Sequence, residues 1–270
     1  MDVTAVLFPG QGSQEPGMRE EAAALRPDLL ELVCEVVGED PFVRVEESTA
    51  FAQPAILCAS LARWSALDTD PSYLLGHSLG EIGALAAAGA LTDRQALALV
   101  AARGRLMAAA GRPNDGMLAV LRGEPAAVAA LAKRHRVTVA NDNAPGQMVL
   151  SGDLDLLDAA SRDARGAGLR TLRLPVTGAF HSPAMAPARE PWERVLAETE
   201  FAPLRVPVVS CLTAAPIEDP RAALAASLTA PVRFREALLY LADQGCDEFI
   251  EVGPGRVLEG LVKRTLPAHV

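Results

Sequence analysis

A serine hydroxyl is a weak nucleophile at neutral pH, so a serine that does chemistry must be presented on a tight turn and given a base. Ser78 meets the first condition. Gly76-His77-Ser78-Leu79-Gly80 has the spacing of a nucleophile elbow, between an apolar run ending at Gly76 and an alanine-rich segment from Glu81 to Ala88. The run predicts a strand and the segment a helix. The helix N-terminus and the backbone N–H of the residue after the serine both favour negative charge developing at the turn. The base has to come from four histidines. His77 adjoins the serine and points away from it, His135 sits in an arginine-rich stretch expected to be exposed, and His269 lies in the terminal tail. That leaves His181, in Gly178-Ala179-Phe180-His181-Ser182-Pro183 at the exit of a predicted strand.

The elements that must bring Ser78 and His181 together follow from periodicity. Thr4 to Phe8 reads as a buried strand running into the turn Pro9-Gly10-Gln11-Gly12-Ser13-Gln14. Helical patterns run from Met18 to Val37 and from Gln53 to Trp64, and a strand from Tyr73 to Gly76. Thr92, with Gln95 completing a capping box, starts a helix through Ala109. Between Gly116 and Leu174 the order becomes β-α-β-β-α-β, which is ferredoxin-like. A helix from Pro183 to Thr199, a strand from Val206 to Ser210, a helix from Arg233 to Gln244 and a strand from Phe249 to Val252 complete the chain. The fold expected is α/β: a mostly parallel core of residues 1–115 and 176–270, with residues 116–175 inserted as a small lobe.

Composition removes other classes. The chain has 270 residues, half of them hydrophobic, and a net charge of −9, so intrinsic disorder and a nucleic-acid footprint are not expected. Its longest apolar run, Gly83 to Leu91, is far short of the ~20 residues that span a bilayer, and no export signal is present. Cys34, Cys58, Cys211 and Cys246 form no C-x-x-C and the histidines no H-E-x-x-H. Reduced thiols in a cytoplasmic protein, with no metal site, are therefore expected.

Several motifs occur in a fixed order: Phe8-Pro9-Gly10-Gln11-Gly12-Ser13-Gln14, Gly76-His77-Ser78-Leu79-Gly80-Glu81, Arg103-Gly104, Asn141-Asp142-Asn143-Ala144-Pro145-Gly146-Gln147, Gly178 to Pro183, and Glu251-Val252-Gly253-Pro254-Gly255. On these the chain resembles malonyl-CoA:acyl carrier protein transacylases and the acyltransferase domains of polyketide synthases. The resemblance covers nearly the whole chain. It implies a hydrolase-like core and a ping-pong reaction of fatty acid or polyketide biosynthesis. Malonyl passes from coenzyme A to Ser78, then to the phosphopantetheine thiol of an acyl carrier protein, with no cofactor held permanently. It also implies that His181 is the general base, that the N–H groups of Gln11 and Leu79 form an oxyanion hole, and that Arg103 binds the malonyl carboxylate. A buried guanidinium left without a carboxylate costs several kcal/mol, so an uncharged acyl group would be refused. Gln53 matches a polar residue lining the family's site, although a plain helix N-terminus explains it nearly as well. Phe180 resembles the residue of malonyl-selective members, where a ring leaves less room for an α-methyl, a preference worth ~1–3 kcal/mol. Met107 and Met117 either line the same pocket or fill the core.

The chain departs from the family in places. Only 67 positions separate Gln11 from Ser78, fewer than expected, which implies a trimmed segment near the entrance. Ser227 stands where Gln or Asn is usual. Its backbone carbonyl would still orient His181. Cys211 replaces a usual Asn, with no account from sequence, and Ile82 replaces an aromatic, which would alter the pocket floor. An acidic carrier would need local positive charge on this acidic chain. Arg162, Arg165, Arg170, Arg173, Arg233, Arg235, Lys263 and Arg264 either supply it beside the cleft or are solvated helix faces. A chain beginning at the first motif and ending soon after the last is expected to serve a carrier on another protein, as a monomer. The alternatives are a hydrolase that clears acyl groups from carriers, a transferase for another acyl unit, and a scaffold without activity.

Overall fold

A computed structural model of the chain describes residues 3–267, so Asp2 and His269 lie outside the described residues. Strand β1 (Thr4–Phe8) is buried along its whole length and is an interior strand of a five-stranded sheet. β2 (Tyr73–Gly76) and β9 (Glu248–Glu251) flank it in parallel. β7 (Val208–Ser210) continues in parallel beside β2, and β8 (Ala215–Pro216) closes the edge antiparallel to β7. Period-two alternation puts Val6, Phe8 and Leu74 into one apolar cluster and Ala5, Leu7 and Leu75 into another. Both faces are therefore covered, as a parallel sheet requires.

The first face carries α3 (Thr49–Ala66), α4 (Gly80–Ala87) and α5 (Asp93–Ala110), the last begun by the expected Thr92 and Gln95 box. α3 starts a turn earlier than expected because the Ser48 hydroxyl accepts from the Ala50 N–H. The single helix expected from Met18 to Val37 is two, α1 (Met18–Leu25) and α2 (Pro27–Val37). Pro27 excludes its neighbour from helical geometry, and Arg26 turns to φ −145°. A short 3-10 helix, Pro41–Arg44, precedes α3.

Four antiparallel strands make a second sheet in the order β4-β5-β3-β6. They are β3 (Asp115–Leu121), β4 (Thr138–Ala144), β5 (Gln147–Asp153) and β6 (Arg170–Arg173), joined through α6 (Pro125–His135) and α7 (Leu154–Gly166). Leu118, Val120 and Leu150 pack with α6 and α7, while Met117, Ala119 and Val149 face the cluster of the large sheet. β4 runs further than expected, through Asn141, Asp142 and Asn143, with irregular register on either side of them. After a 3-10 turn at Pro183–Met185 come α8 (Ala186–Ala197), α9 (Pro220–Ser227), α10 (Phe234–Asp243) and α11 (Val257–Thr265). α9 and α11 were not anticipated from the sequence. Among the described residues no helix is long and apolar enough to cross a membrane.

Candidate active site

Ser78 sits in the left-handed region at φ 56°, a strained conformation for a residue with a side chain, at the hinge between β2 and α4. The elbow glycines are steric necessities. A Cβ at Gly76 would run into the backbone of Gly80, and one at Gly80 into the carbonyl of Phe8. A Cβ at Gly10 would lie 2.7 Å from the His77 carbonyl, so the first glycine-rich loop can close on the elbow only without a side chain there.

His181 is 4% exposed and also left-handed, at φ 55°. Its Nδ1 lies 3.1 Å from the Ser227 carbonyl and 3.2 Å from that of Ala230. Carbonyls only accept, so Nδ1 carries the proton. Nε2 is then the acceptor for the Ser78 hydroxyl at 2.7 Å. Burial, followed by the charge of Arg103 and then His77, pushes the imidazole down to about 3, against the two carbonyls. The ring is neutral at ordinary pH and able to take the serine proton.

Arg103 reaches the same serine from α5. The residue is 2% exposed; Nη2 donates to Ser78 Oγ at 3.1 Å and Nη1 to Gln53 Oε1 at 2.9 Å. It makes no ion pair among the described residues. Burial lowers it to about 10, partly offset by Glu81. From Gln53 a polar chain continues: Nε2 donates to Thr49 Oγ1 at 2.9 Å, and Thr49 Oγ1 to Gln11 Oε1 at 2.7 Å. α3 and α5 meet closely enough for this because residue 104 is glycine; a Cβ there would lie 2.7 Å from the Thr49 carbonyl.

Glu81, the first acid of α4, is pushed up to about 7 by burial. Its Oε1 accepts from Ser210 Oγ at 2.9 Å and from the Cys211 N–H at 2.7 Å, which ties the elbow helix to the end of β7. Position 211 makes this tie through its backbone N–H. The Cys211 thiol donates to the Gly76 carbonyl at 3.2 Å.

Gln11, Gln53, Ser78, Leu79, Arg103, Met107, Met117, Phe180 and His181 all line one cleft of about 120 Å³, so both methionines border it. Ser227 stands behind the histidine. Ile82 does not line the cleft; it is fully buried in the main cluster. His135 is not free in solvent, since its Nε2 lies 3.0 Å from Asp163 of α7. Arg162 and Arg165 are exposed on α7, which covers the sheet face opposite the cleft, so they do not flank it. Others of the anticipated basic group are engaged: Arg173 with Asp158, Arg233 with Glu236, Arg235 with Asp142 and Lys263 with Glu259. Sequence reasoning missed Ala230 and Thr49. Thr49 lies one helical turn before Gln53, a spacing that could have revealed it, whereas Ala230 acts through a carbonyl that its side chain does not advertise.

A hydroxyl on an elbow, hydrogen-bonded to a neutral imidazole in a cleft with a buried cation, belongs to enzymes that carry an acyl group on serine. The scaffold and site thus define a serine acyltransferase. The chain belongs to the acyl transferase domain family, which matches residues 30–269. It is 37% identical to the polyketide biosynthesis malonyl CoA-acyl carrier protein transacylase BaeC of Bacillus velezensis, over 96% of this chain and 95% of the relative. It is also 37% identical to the polyketide biosynthesis protein ThaF of Burkholderia thailandensis, over 97% of this chain but only 24% of that longer protein. The crystal structure of an acyl carrier protein S-malonyltransferase from Vibrio cholerae superposes with a TM-score of 0.90 at 36% identity, covering 98% of this chain and 94% of that one.

Proposed function

We propose that this chain transfers malonyl from coenzyme A, through an ester on Ser78, to the phosphopantetheine thiol of an acyl carrier protein. The observation that carries the reading is Arg103, a guanidinium 2% exposed, without an ion pair among the described residues, 3.1 Å from the nucleophile. A carboxylate beside the reacting carbonyl is the acyl feature it suits, and malonyl has one. The names of the Bacillus velezensis and Vibrio cholerae relatives support the donor and the acceptor.

In the acylation half, Ser78 Oγ attacks the thioester carbonyl as its proton moves to His181 Nε2. The Nδ1–H, held by the Ser227 and Ala230 carbonyls, keeps the ring aligned through the proton transfer. The Gln11 and Leu79 N–H groups hold the oxyanion. Collapse breaks the C–S bond, and coenzyme A leaves as a thiol with the proton from Nε2. In the second half the carrier thiol gives its proton to His181, its sulfur attacks the ester, and Ser78 recovers a proton as it leaves. Residues 116–175 serve as a lobe closing over a core of residues 1–115 and 176–270. No resident cofactor takes part, and the compartment suited to these substrates is the cytoplasm.

Phe180 limits the acyl α-carbon. Its ring lies against Gly178, where a Cβ would come within 2.5 Å of it, so the ring keeps this place only beside a glycine. Phe180→Ser is expected to raise methylmalonyl loading relative to malonyl by about 10–100-fold, the worth of a methyl in an apolar pocket. The function is tested by loading the enzyme with malonyl-CoA, adding a holo carrier protein and following both by intact mass. Transfer to the carrier supports the reading, and release of free malonate instead supports a hydrolase.

A further inference from the structure

The second sheet meets the core at strand β4, whose alternating side chains reach both catalytic neighbourhoods. On one side, Asn143 Oδ1 lies 2.9 Å from His77 Nε2, and His77 is the residue before the nucleophile. On the other, Asp142 takes Arg235 in a forked ion pair, with Nε at 2.9 and 3.0 Å from its two oxygens and Nη2 at 2.6 Å from one. The pair is largely covered, with side chains 24% and 14% exposed, and Arg235 lies in the first turn of α10. Between these contacts the backbones join. Val232 N–H donates to the Ala140 carbonyl at 2.8 Å, Asp142 N–H donates to the Val232 carbonyl at 2.9 Å, and Asn141 and Val232 form a parallel bridge. Val232 is two residues from Ala230, whose carbonyl receives the His181 Nδ1–H.

The chain from 227 to 233 connects α9 to α10; it is held at its start by the buried Leu228, at its end by the Arg233 N–H donating to the Cys211 carbonyl at 2.8 Å, and next to Ala230 by the β4 contacts of Val232. We propose that the Asp142–Arg235 pair is a positioning latch: by locking β4 to residues 232–235 it aims the Ala230 carbonyl at His181 and so sets the imidazole for proton transfer. Neither latch residue lines the cleft; the side-chain pair acts through the backbone segments that it holds together. Arg103 and His77 are the charged or titratable groups acting on His181; Arg233 and Glu236 flank Arg235 and pair with each other. The latch works on the rate of acyl transfer and not on malonyl-CoA binding. A catalytic group displaced by a fraction of an ångström costs rate steeply, since proton transfer requires hydrogen-bond geometry.

The inference rests on the proposed transferase activity, and single-turnover malonyl loading separates the two. Wild type, Arg235→Ala, Asp142→Asn and the exchange variant Asp142→Arg with Arg235→Asp are mixed with malonyl-CoA, and the Ser78 adduct is followed by quenched intact-mass measurement. In Arg235→Ala the loading rate constant is expected to fall about 10–100-fold, with full final occupancy and an unchanged half-saturating malonyl-CoA concentration. Asp142→Asn should lie between it and wild type, and the exchange variant should recover at least part of the rate. An unchanged rate constant, a weaker affinity at constant rate, or occupancy that falls in step with folded fraction would overturn the latch. If wild type itself gains no adduct, the transferase reading fails, and the latch with it.

Discussion

Arg103→Ala is expected to lower malonyl loading of Ser78 by about 10²–10³-fold while acetyl loading holds or rises. A forked, charge-assisted contact with a carboxylate in a buried site is worth several kcal/mol, and each 1.4 kcal/mol is tenfold. The guanidinium gives one donor to Ser78 Oγ and one to Gln53. A malonyl carboxylate competes for both donors and releases the nucleophile, whereas an acetyl group leaves the cation buried and attached to it. Removing the side chain abolishes both effects, so malonyl loading should fall with no fall in acetyl loading. The charge of Arg103 also holds His181 down. The acid limb of acetyl loading should therefore shift to higher pH in the variant, as the base gains affinity for its proton. Loading rates for both thioesters across pH 4–8 check the expectation; equal losses for malonyl and acetyl would show that Arg103 supports the fold and not the choice of acyl group.

His181→Ala should cost about 10³–10⁴-fold in both half-reactions, the upper range for a positioned general base. The size of the loss follows from its surroundings. Among the described residues neither other histidine ring hydrogen-bonds Ser78: His77 is held by Asn143 and packs on Phe234 with ring centroids 5.3 Å apart, and His135 is on the far side of the second sheet. No other base can take its place within hydrogen-bond reach. The wild-type acid limb should lie well below the usual histidine range, because burial and Arg103 keep the imidazole neutral down to about 3. A substituted enzyme that kept loading within tenfold of wild type would remove His181 from the proton path.

Much of this site could be read from sequence because its main parts depend on side-chain identity and local turn chemistry. Gly76 and Gly80 exist for steric reasons that make the elbow recognisable, and Thr92 with Gln95 writes the start of α5 into the chain. Ser78, His181, Arg103 and Gln53 come together in one cleft. What escaped was carried by the backbone or by distant pairing. The Ala230 carbonyl leaves no trace in residue type, and the Asp142–Arg235 pair spans elements that no periodicity connects. Arg162 and Arg165 differ for a related reason: sequence shows that they cluster, but only the two faces of the second sheet decide that α7 covers the one turned away from the cleft. Pro27 marks the split of the first long helix, although the apolar pattern continues across it.

The most direct test is the covalent intermediate. Wild type and Ser78→Ala are incubated briefly with malonyl-CoA, quenched in acid and weighed intact, with peptide mapping of any adduct. A single malonyl ester on Ser78 in wild type, absent from Ser78→Ala and discharged when a holo carrier protein is added, is the predicted result. An adduct that persists in Ser78→Ala, or maps to another residue, would contradict the account.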